Sequence, residues 1–358
     1  ALKAGATDFI LKPWDNQKLL ATVRSAVQLS LSKNEVKDLR QKEKSLIMSL
    51  NRNNKTIISS SPEMKVVLRT VEKVAKTDTN ILITGENGTG KELIARRIHQ
   101  LSNRCNELMV TLDMGAISET LFESELFGHV KGAFTDANEH RTGKFELANK
   151  GTLFLDEIAN LPLNLQSKLL VALQNREITP VGSNKPIPID IRLVCATNRN
   201  LREMVDNGLF REDLLYRINT IQIEVPPLRD RKDDILVLAK HFLTKYSDKY
   251  NKPRATIAES AKQKLKEYHW AGNVRELEHS IEKAVIMSDT GELCVNDFFS
   301  GSVSNPNPVP SSLKLDEMEQ KMITLAIEKN GGNIKAAAHQ LGVTRQTLYN
   351  KMKKYGIY

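Results

Sequence analysis

The sequence predicts a multidomain α/β protein: a parallel sheet flanked by helices, an all-α segment behind it, and a small basic all-α unit at the C-terminal end. Three observations carry this. The apolar runs NILIT, TLFLD and IRLVCATN alternate with helical patterns between residues 59 and 228, as in a parallel sheet covered on both faces. From 229 to 297 only helical patterns follow. The stretch SGSVSNPNPVPSS, 300 to 312, is a Pro/Ser/Asn linker, and beyond it the chain is again helical, broken at NGGN and at LGV.

The bulk numbers bound the function. With 358 residues, 40% hydrophobic and 27% charged, the chain suits two or three soluble domains with at least one sizeable core. No apolar run approaches the roughly 18 residues of a membrane span, so no membrane partner is expected. Cys105, Cys195 and Cys294 are far apart and in no metal spacing, which predicts free thiols and a reducing cytoplasm. The formal charge of +9 favours a polyanionic partner. The basic excess is concentrated at the end: the last thirty residues hold Lys329, Lys335, Arg345, Lys351, Lys353 and Lys354, with no Asp or Glu.

Taken in order, residues 1 to 30 read as a helix end, a strand DFILKP and a helix NQKLLATVRSAVQL. The chain begins inside this element, so a segment before Ala1 is expected. Residues 31 to 58 read as a charged helix. Leu29, Val36, Leu39, Leu46 and Leu50 recur at helical steps along it, which suits either a short coiled coil or a helix lying on its own domain.

The run ILITGENGTGKE is a strand entering Gly85-x-x-x-x-Gly90-Lys91, with the helical ELIARRIHQ behind it. Glycines let backbone N–H groups turn inward around phosphate oxygens, the helix N-terminus adds positive potential, and Lys91 reaches the β- and γ-phosphates. Gly85, Glu86, Asn87, Gly88, Thr89, Gly90, Lys91 and Glu92 are therefore the expected ATP cradle. Glu92 stands where Ser or Thr ligates magnesium in the general pattern.

GTLFLDE then places Asp156 and Glu157 at the end of a buried parallel strand, the sheet's ligand-binding edge. Asp156 is expected to hold Mg2+ and Glu157 to polarise the attacking water; capping of the next helix is the plainer alternative. IRLVCATN ends in Thr197-Asn198, a pair that can sense the γ-phosphate or form an ordinary turn. Arg211 and Arg217 in FREDLLYRIN, and Arg275 in WAGNVREL, are arginines suited to a charge-dense transition state, or else solvated surface. Gly132, Ala133, Phe134, Thr135, Asp136 and Ala137 form GAFTDA, small residues around one aromatic with no apolar periodicity, which reads as an exposed contact loop.

Taken together, GENGTGKE, ESELFGHVKGAFTDA, GTLFLDE, FREDLLYRIN, WAGNVREL and the terminal GGNIKAAAHQLGVTRQTLYNKMKKYGI resemble the bacterial enhancer-binding proteins of the NtrC type. These are sigma-54-dependent transcription activators built on an AAA+ ATPase, and the resemblance covers essentially the whole chain. Glu92 after Lys91 is what that family carries. The resemblance implies ATP and Mg2+ as cofactors, Asn198 as first sensor, Arg275 as second sensor, and Arg211 and Arg217 as fingers reaching a neighbouring subunit's nucleotide. It therefore implies a homo-oligomeric ring, usually a hexamer. It also implies that GAFTDA contacts sigma-54 in RNA polymerase. Here Asp136 replaces the family's second glycine, and Asp113, in VTLDMGAI, stands where the family has Asn near the catalytic glutamate.

At the ends, ALKAGATDFILKPW resembles the last strand and helix of a response-regulator receiver, with Lys12 matching its phosphoryl-contacting lysine and Pro13 the proline after it. A sensor histidine kinase is the implied partner of the full-length protein. The tail resembles a Fis-type helix-turn-helix. TRQTLYNKMKKY is its recognition helix, capped by Thr344, with Arg345, Gln346, Thr347 and Asn350 reading enhancer DNA and Lys351, Lys353 and Lys354 touching phosphates. The expected domains are a receiver remnant 1–30, helical linker 31–58, AAA+ α/β subdomain 59–228, helical lid 229–297, flexible linker 298–312 and helix-turn-helix 313–358. The resemblance implies a cytoplasmic two-component activator. A DNA-binding regulator that bypasses sigma-54, or an AAA+ remodeller of another protein, would share many of the same motifs.

Overall fold

The computed structural model describes residues 16–51, 56–118, 121–135, 137–253, 255–288, 291–299 and 315–357. Lys12, Pro13, Asp136 and the linker 300–314 lie outside the described residues. The chain divides into two compact units at Phe298/Phe299.

The first unit opens with α1 (Asn16–Asn51). It runs unbroken through residue 30, where a boundary between receiver remnant and linker is expected from the sequence, because no Gly or Pro interrupts residues 16–51. Leu29, Val36, Leu39 and Leu46 are exposed along it. Its last residue ties it to the sheet edge: Asn51 Nδ2 donates to the Glu107 carbonyl at 2.8 Å. Next, α2 (Pro62–Ala75) starts at Ser61, whose hydroxyl accepts from the Met64 N–H, with Pro62 in the first turn. Arg192, fully buried, donates to the Val74 and Ala75 carbonyls at 2.8 and 2.7 Å and closes the other end of α2.

The sheet then forms around the phosphate loop. β1 (Ile81–Thr84) leads into α3 (Lys91–Gln100) and β2 (Met109–Asp113). A small insertion follows: α4 (Phe122–Phe127), β3 (Gly128–His129), β4 (Arg141–Thr142) and α5 (Lys144–Leu147). β5 (Thr152–Asp156), α6 (Leu163–Asn175), β6 (Glu177–Ile178), β7 (Ile187–Pro188), β8 (Arg192–Thr197), α7 (Leu201–Asp206), α8 (Glu212–Ile218) and β9 (Ile221–Glu224) complete it. The strand order is β2-β5-β8-β1-β9, and all four pairings are parallel.

Period-two alternation feeds two separate cores. Leu82, Leu153, Leu155, Leu193 and Cys195 pack with α6 and α8 on one face. Ile81, Ile83, Phe154, Val194, Ala196 and Ile223 pack with α2 and α3 on the other.

The lid is helical: α9 (Lys232–Lys249), α10 (Glu259–Glu267), α11 (Asn273–Met287) and α12 (Val295–Phe299), plus a two-residue β10–β11 pairing, Thr256–Ile257 with Glu292–Leu293. α9 and α11 are joined by a ladder in which Tyr246 and Lys245 donate to Glu278, and Tyr250 and Lys249 donate to Glu282.

The second unit holds α13 (Leu315–Lys329), α14 (Ile334–Gln340) and α15 (Arg345–Tyr355) around Ile323, Ala326, Ala337, Ala338 and Leu348. Asn333 caps α14 and Thr344 caps α15, the latter accepting from the Thr347 N–H at 3.2 Å, a device worth about 1 kcal/mol. Among the described residues no helix is long and apolar enough to cross a membrane, and Cys105, Cys195 and Cys294 are free thiols.

Candidate functional site

The turn from β1 into α3 is possible because Gly85, Gly88 and Gly90 adopt φ of 150°, 77° and 104°. Gly90 sits at the N-cap of α3 with no side-chain cap, so the first-turn N–H groups are available to an anion. Lys91 is buried, and its ammonium donates to the Gly85 carbonyl at 2.9 Å and lies 4.0 Å from Glu157 Oε1. Burial pulls its pKa below the usual lysine value, while Glu157 and Asp156 oppose that shift.

Asp156 ends β5 directly beside Asp113 of β2. Glu157 follows with φ 53°, a left-handed conformation uncommon for a residue with a side chain, and its N–H bonds Asp156 Oδ1 at 3.0 Å. Burial pushes both carboxyl groups above their ordinary range; Lys91 and, for Glu157, the Asn198 backbone N–H pull the other way. Asp113 accepts from the Gly115 N–H at 2.8 Å and adds negative charge near both acids.

Lys91, Asp156 and Glu157 line one cavity of about 480 Å³. Its wall includes residues 87–94, Asp156, Glu157, the apolar Ile57, Ile58, Leu238 and Phe242, and Arg275 from the lid. Three of the residues predicted for the nucleotide site, Gly85, Glu86 and Asn198, lie off this wall. Glu86 does not line the cavity; its carboxylate is held by Arg229 and Asn273. The Asn198 side chain is exposed and also lies off the wall.

Neither Arg211 nor Arg217 lines this cavity. Arg211 sits at the N-cap position of α8 without a side-chain cap and forks onto Asp213 at 3.0 and 2.6 Å. Arg217 donates to the Leu173 carbonyl at 2.9 Å, and its own carbonyl accepts from Asn80, the residue before β1. Arg217 therefore sits at the N-terminal edge of the sheet, one strand length from the phosphate loop.

The described residues of GAFTDA, 132–135 and 137, lie between α4 and β4. Gly132 N–H bonds the Ala137 carbonyl at 2.8 Å and Ala137 N–H the Phe134 carbonyl at 2.9 Å. Phe134 is 40% exposed, its ring edge-on to His129 at 4.9 Å, and Thr135 is exposed. Ala137 is buried, so the expected contact surface is shorter than the motif: the small side chain closes the loop from inside.

On α15, Arg345, Gln346, Asn350, Lys353 and Lys354 are exposed. Thr344 and Thr347 hydroxyls bond each other at 2.7 Å. Lys351 is half-buried and paired with Glu319 of α13, which assigns it to tying α15 to α13 rather than to a free phosphate contact. Sequence reasoning passed over Tyr349, exposed between these groups with the Arg345 guanidinium 5.7 Å from its ring, and Arg229 and Asn273, whose partner is remote in sequence.

A phosphate loop and acid pair at the strand ends, a helical lid over them and a basic helix-turn-helix define an ATPase of the AAA+ class joined to a DNA-binding unit. Comparison with known proteins narrows this. Residues 57–224 match the Sigma-54 interaction domain, 229–311 the AAA+ ATPase lid domain, and 314–355 the Fis family of bacterial regulatory proteins. Regulatory protein AtoC of Escherichia coli K12 is 40% identical over 369 residues, covering 100% of this chain and 79% of that protein. The alginate biosynthesis regulator AlgB of Pseudomonas aeruginosa is 42% identical over 360 residues, covering 100% of this chain and 78% of that protein. A crystal structure of NtrX from Brucella abortus in complex with ATP aligns with TM-score 0.67 at 32% identity, over 99% of this chain and 79% of that one. The chain belongs to the family of sigma-54-dependent, two-component transcription activators. It is a nucleotide-binding AAA+ ATPase with sigma-54 and DNA as partners.

Proposed function

We propose that this chain opens sigma-54 promoters by hydrolysing ATP in a ring of identical subunits, each supplying a nucleotide site and a loop that engages sigma-54. One observation carries the reading: Lys91 and Glu157, 4.0 Å apart, share a cavity at the strand ends with Arg275 of the lid.

Lys91 and the loop N–H groups hold the β- and γ-phosphates. Asp156 offers a hard carboxylate oxygen that fits magnesium, an ion held by one or two carboxylates plus substrate phosphates rather than by an all-protein cage. Bound there, the ion supplies charge neutralisation on the phosphate oxygens. Glu157 accepts the proton of the attacking water, steadied by the Asn198 backbone N–H. Arg275 senses the nucleotide from the lid.

Arg211 and Arg217 act on a neighbour's nucleotide. Their positions off this chain's own cavity support that reading, and with it a ring, in the hexameric form the resemblance implies. α15 reads enhancer DNA in the major groove, two subunits recognising two half-sites, with binding that weakens steeply as salt rises. The exposed leucines of α1 pair with a second copy, and a receiver answering to a histidine kinase gates assembly.

The test is ATP-dependent open-complex formation by sigma-54 RNA polymerase, native chain against Phe134→Ala, with phosphate release measured in parallel. The expected result is hydrolysis in both and opening only by the native chain. Equal opening by both removes Phe134 from the contact. Hydrolysis without opening by the native chain points to another target.

A further inference from the structure

The phosphate loop carries an acid, Glu86, where a bound triphosphate would repel it. Its carboxylate is instead fully engaged outside the cavity. The Arg229 guanidinium forks onto it, Nη1 to Oε2 at 2.8 Å and Nη2 to Oε1 at 2.5 Å, and Asn273 Nδ2 adds a third bond to Oε2 at 3.1 Å.

Asn273 is fully buried, with φ 55°, at the start of α11. Its amide also donates to the Asn87 carbonyl at 3.0 Å and accepts from the Leu228 N–H at 2.8 Å, at the entrance to the lid. The next two loop carbonyls are taken as well. Gly88 accepts from the Val274 N–H at 3.0 Å, and Thr89 accepts from the buried Arg231 at 2.8 Å. The fit leaves no slack, since a Cβ on Gly88 would lie 2.3 Å from the Gly272 carbonyl oxygen. Four consecutive loop residues are thus gripped by the lid, and Arg275, which lines the cavity, follows Asn273 by two positions.

We propose that Glu86, Arg229 and Asn273 are positioning residues that make the lid, and Arg275 with it, follow the shape of the phosphate loop when nucleotide fills it. The inference rests on ATP binding in this cavity.

Stability is a poor explanation for the ion pair. Both side chains are partly exposed, at 30% and 41%, and pairs of that kind contribute little to folding. What a bidentate fork adds is direction. Nor is it a pH switch: Arg229 and Asn273 hold the Glu86 carboxyl down to about 2, so it stays ionised far below neutrality.

The experiment compares Glu86→Gln and Arg229→Lys in the whole chain, reading ATP affinity, kcat, KM and the ATP-induced hydrogen-exchange protection of α11. The expected result is folded protein with KM within a fewfold of native, kcat down by roughly tenfold or more, and ATP-induced protection of α11 lost. Native kcat and protection in either folded variant would overturn the proposal, and so would a raised KM with unchanged kcat, which would make Glu86 a binding residue. If Glu86→Gln does not fold, the milder Arg229→Lys decides by the same readouts. A native chain that binds no ATP would sink the nucleotide reading and this inference together. A native chain that binds ATP without protecting α11 would sink this inference alone.

Discussion

Lys91→Ala abolishes ATP binding at ordinary working concentrations. The lysine is buried beneath the phosphate loop, and the cavity already contains Asp156 and Glu157. Without the ammonium, a triphosphate meets two carboxylates and has lost the cation that lies 4.0 Å from Glu157. Truncating one partner of a buried charged pair costs about 2–5 kcal/mol, which is roughly 30-fold to several thousandfold in affinity. Titration with a fluorescent ATP analogue reads this directly. Unchanged affinity would remove Lys91 from the cradle and force a different orientation of the nucleotide.

Glu157→Gln separates binding from chemistry. The amide preserves shape and packing at a residue whose backbone is already left-handed, but it cannot take a proton. Hydrolysis is expected to fall about 10²- to 10⁴-fold, the range for loss of a general base, while ATP stays bound. Steady-state phosphate release beside an affinity measurement checks both halves; wild-type turnover would exclude Glu157 as the base. The pH profile gives a second reading. Burial raises the Glu157 carboxyl above the ordinary glutamate value of 4.5. A base works only when ionised, so turnover declines as pH falls through a value above that figure. The residual activity of the glutamine variant should lack this limb.

The parts legible in the sequence are those whose chemistry is local. Gly85 to Lys91 and Asp156-Glu157 each lie within a few residues, and the strand before each is apolar enough to declare itself. Their meeting needed only the rule that ligands bind at the carboxyl ends of parallel strands. The insertion of β8 between β5 and β1 has no local sign, since it depends on which crossover packs best. The placement of the Glu86 side chain is hidden for a related reason. An acid inside a phosphate loop reads as part of the ligand shell, and its partners Arg229 and Asn273 lie 143 and 187 residues away in sequence. Lys351 reads in the sequence as one more basic residue of a basic tail, and its pairing with Glu319 shows only in the fold. Ala137 belonged to a contact motif by position, yet its burial comes from the turn that folds back over it.

The three thiols give the molecule a clock. Cys105 and Cys294 are exposed, whereas Cys195 lies wholly inside the sheet, between β5 and β1, with burial holding its thiol protonated. An alkylating reagent therefore modifies two positions at the intrinsic rate and the third only as fast as the strands part. Because β8 is clamped between the strand that delivers the phosphate loop and the strand that delivers the acid pair, the lag before a third adduct appears by mass spectrometry times the breathing of the catalytic centre itself. ATP should lengthen that lag without touching the first two.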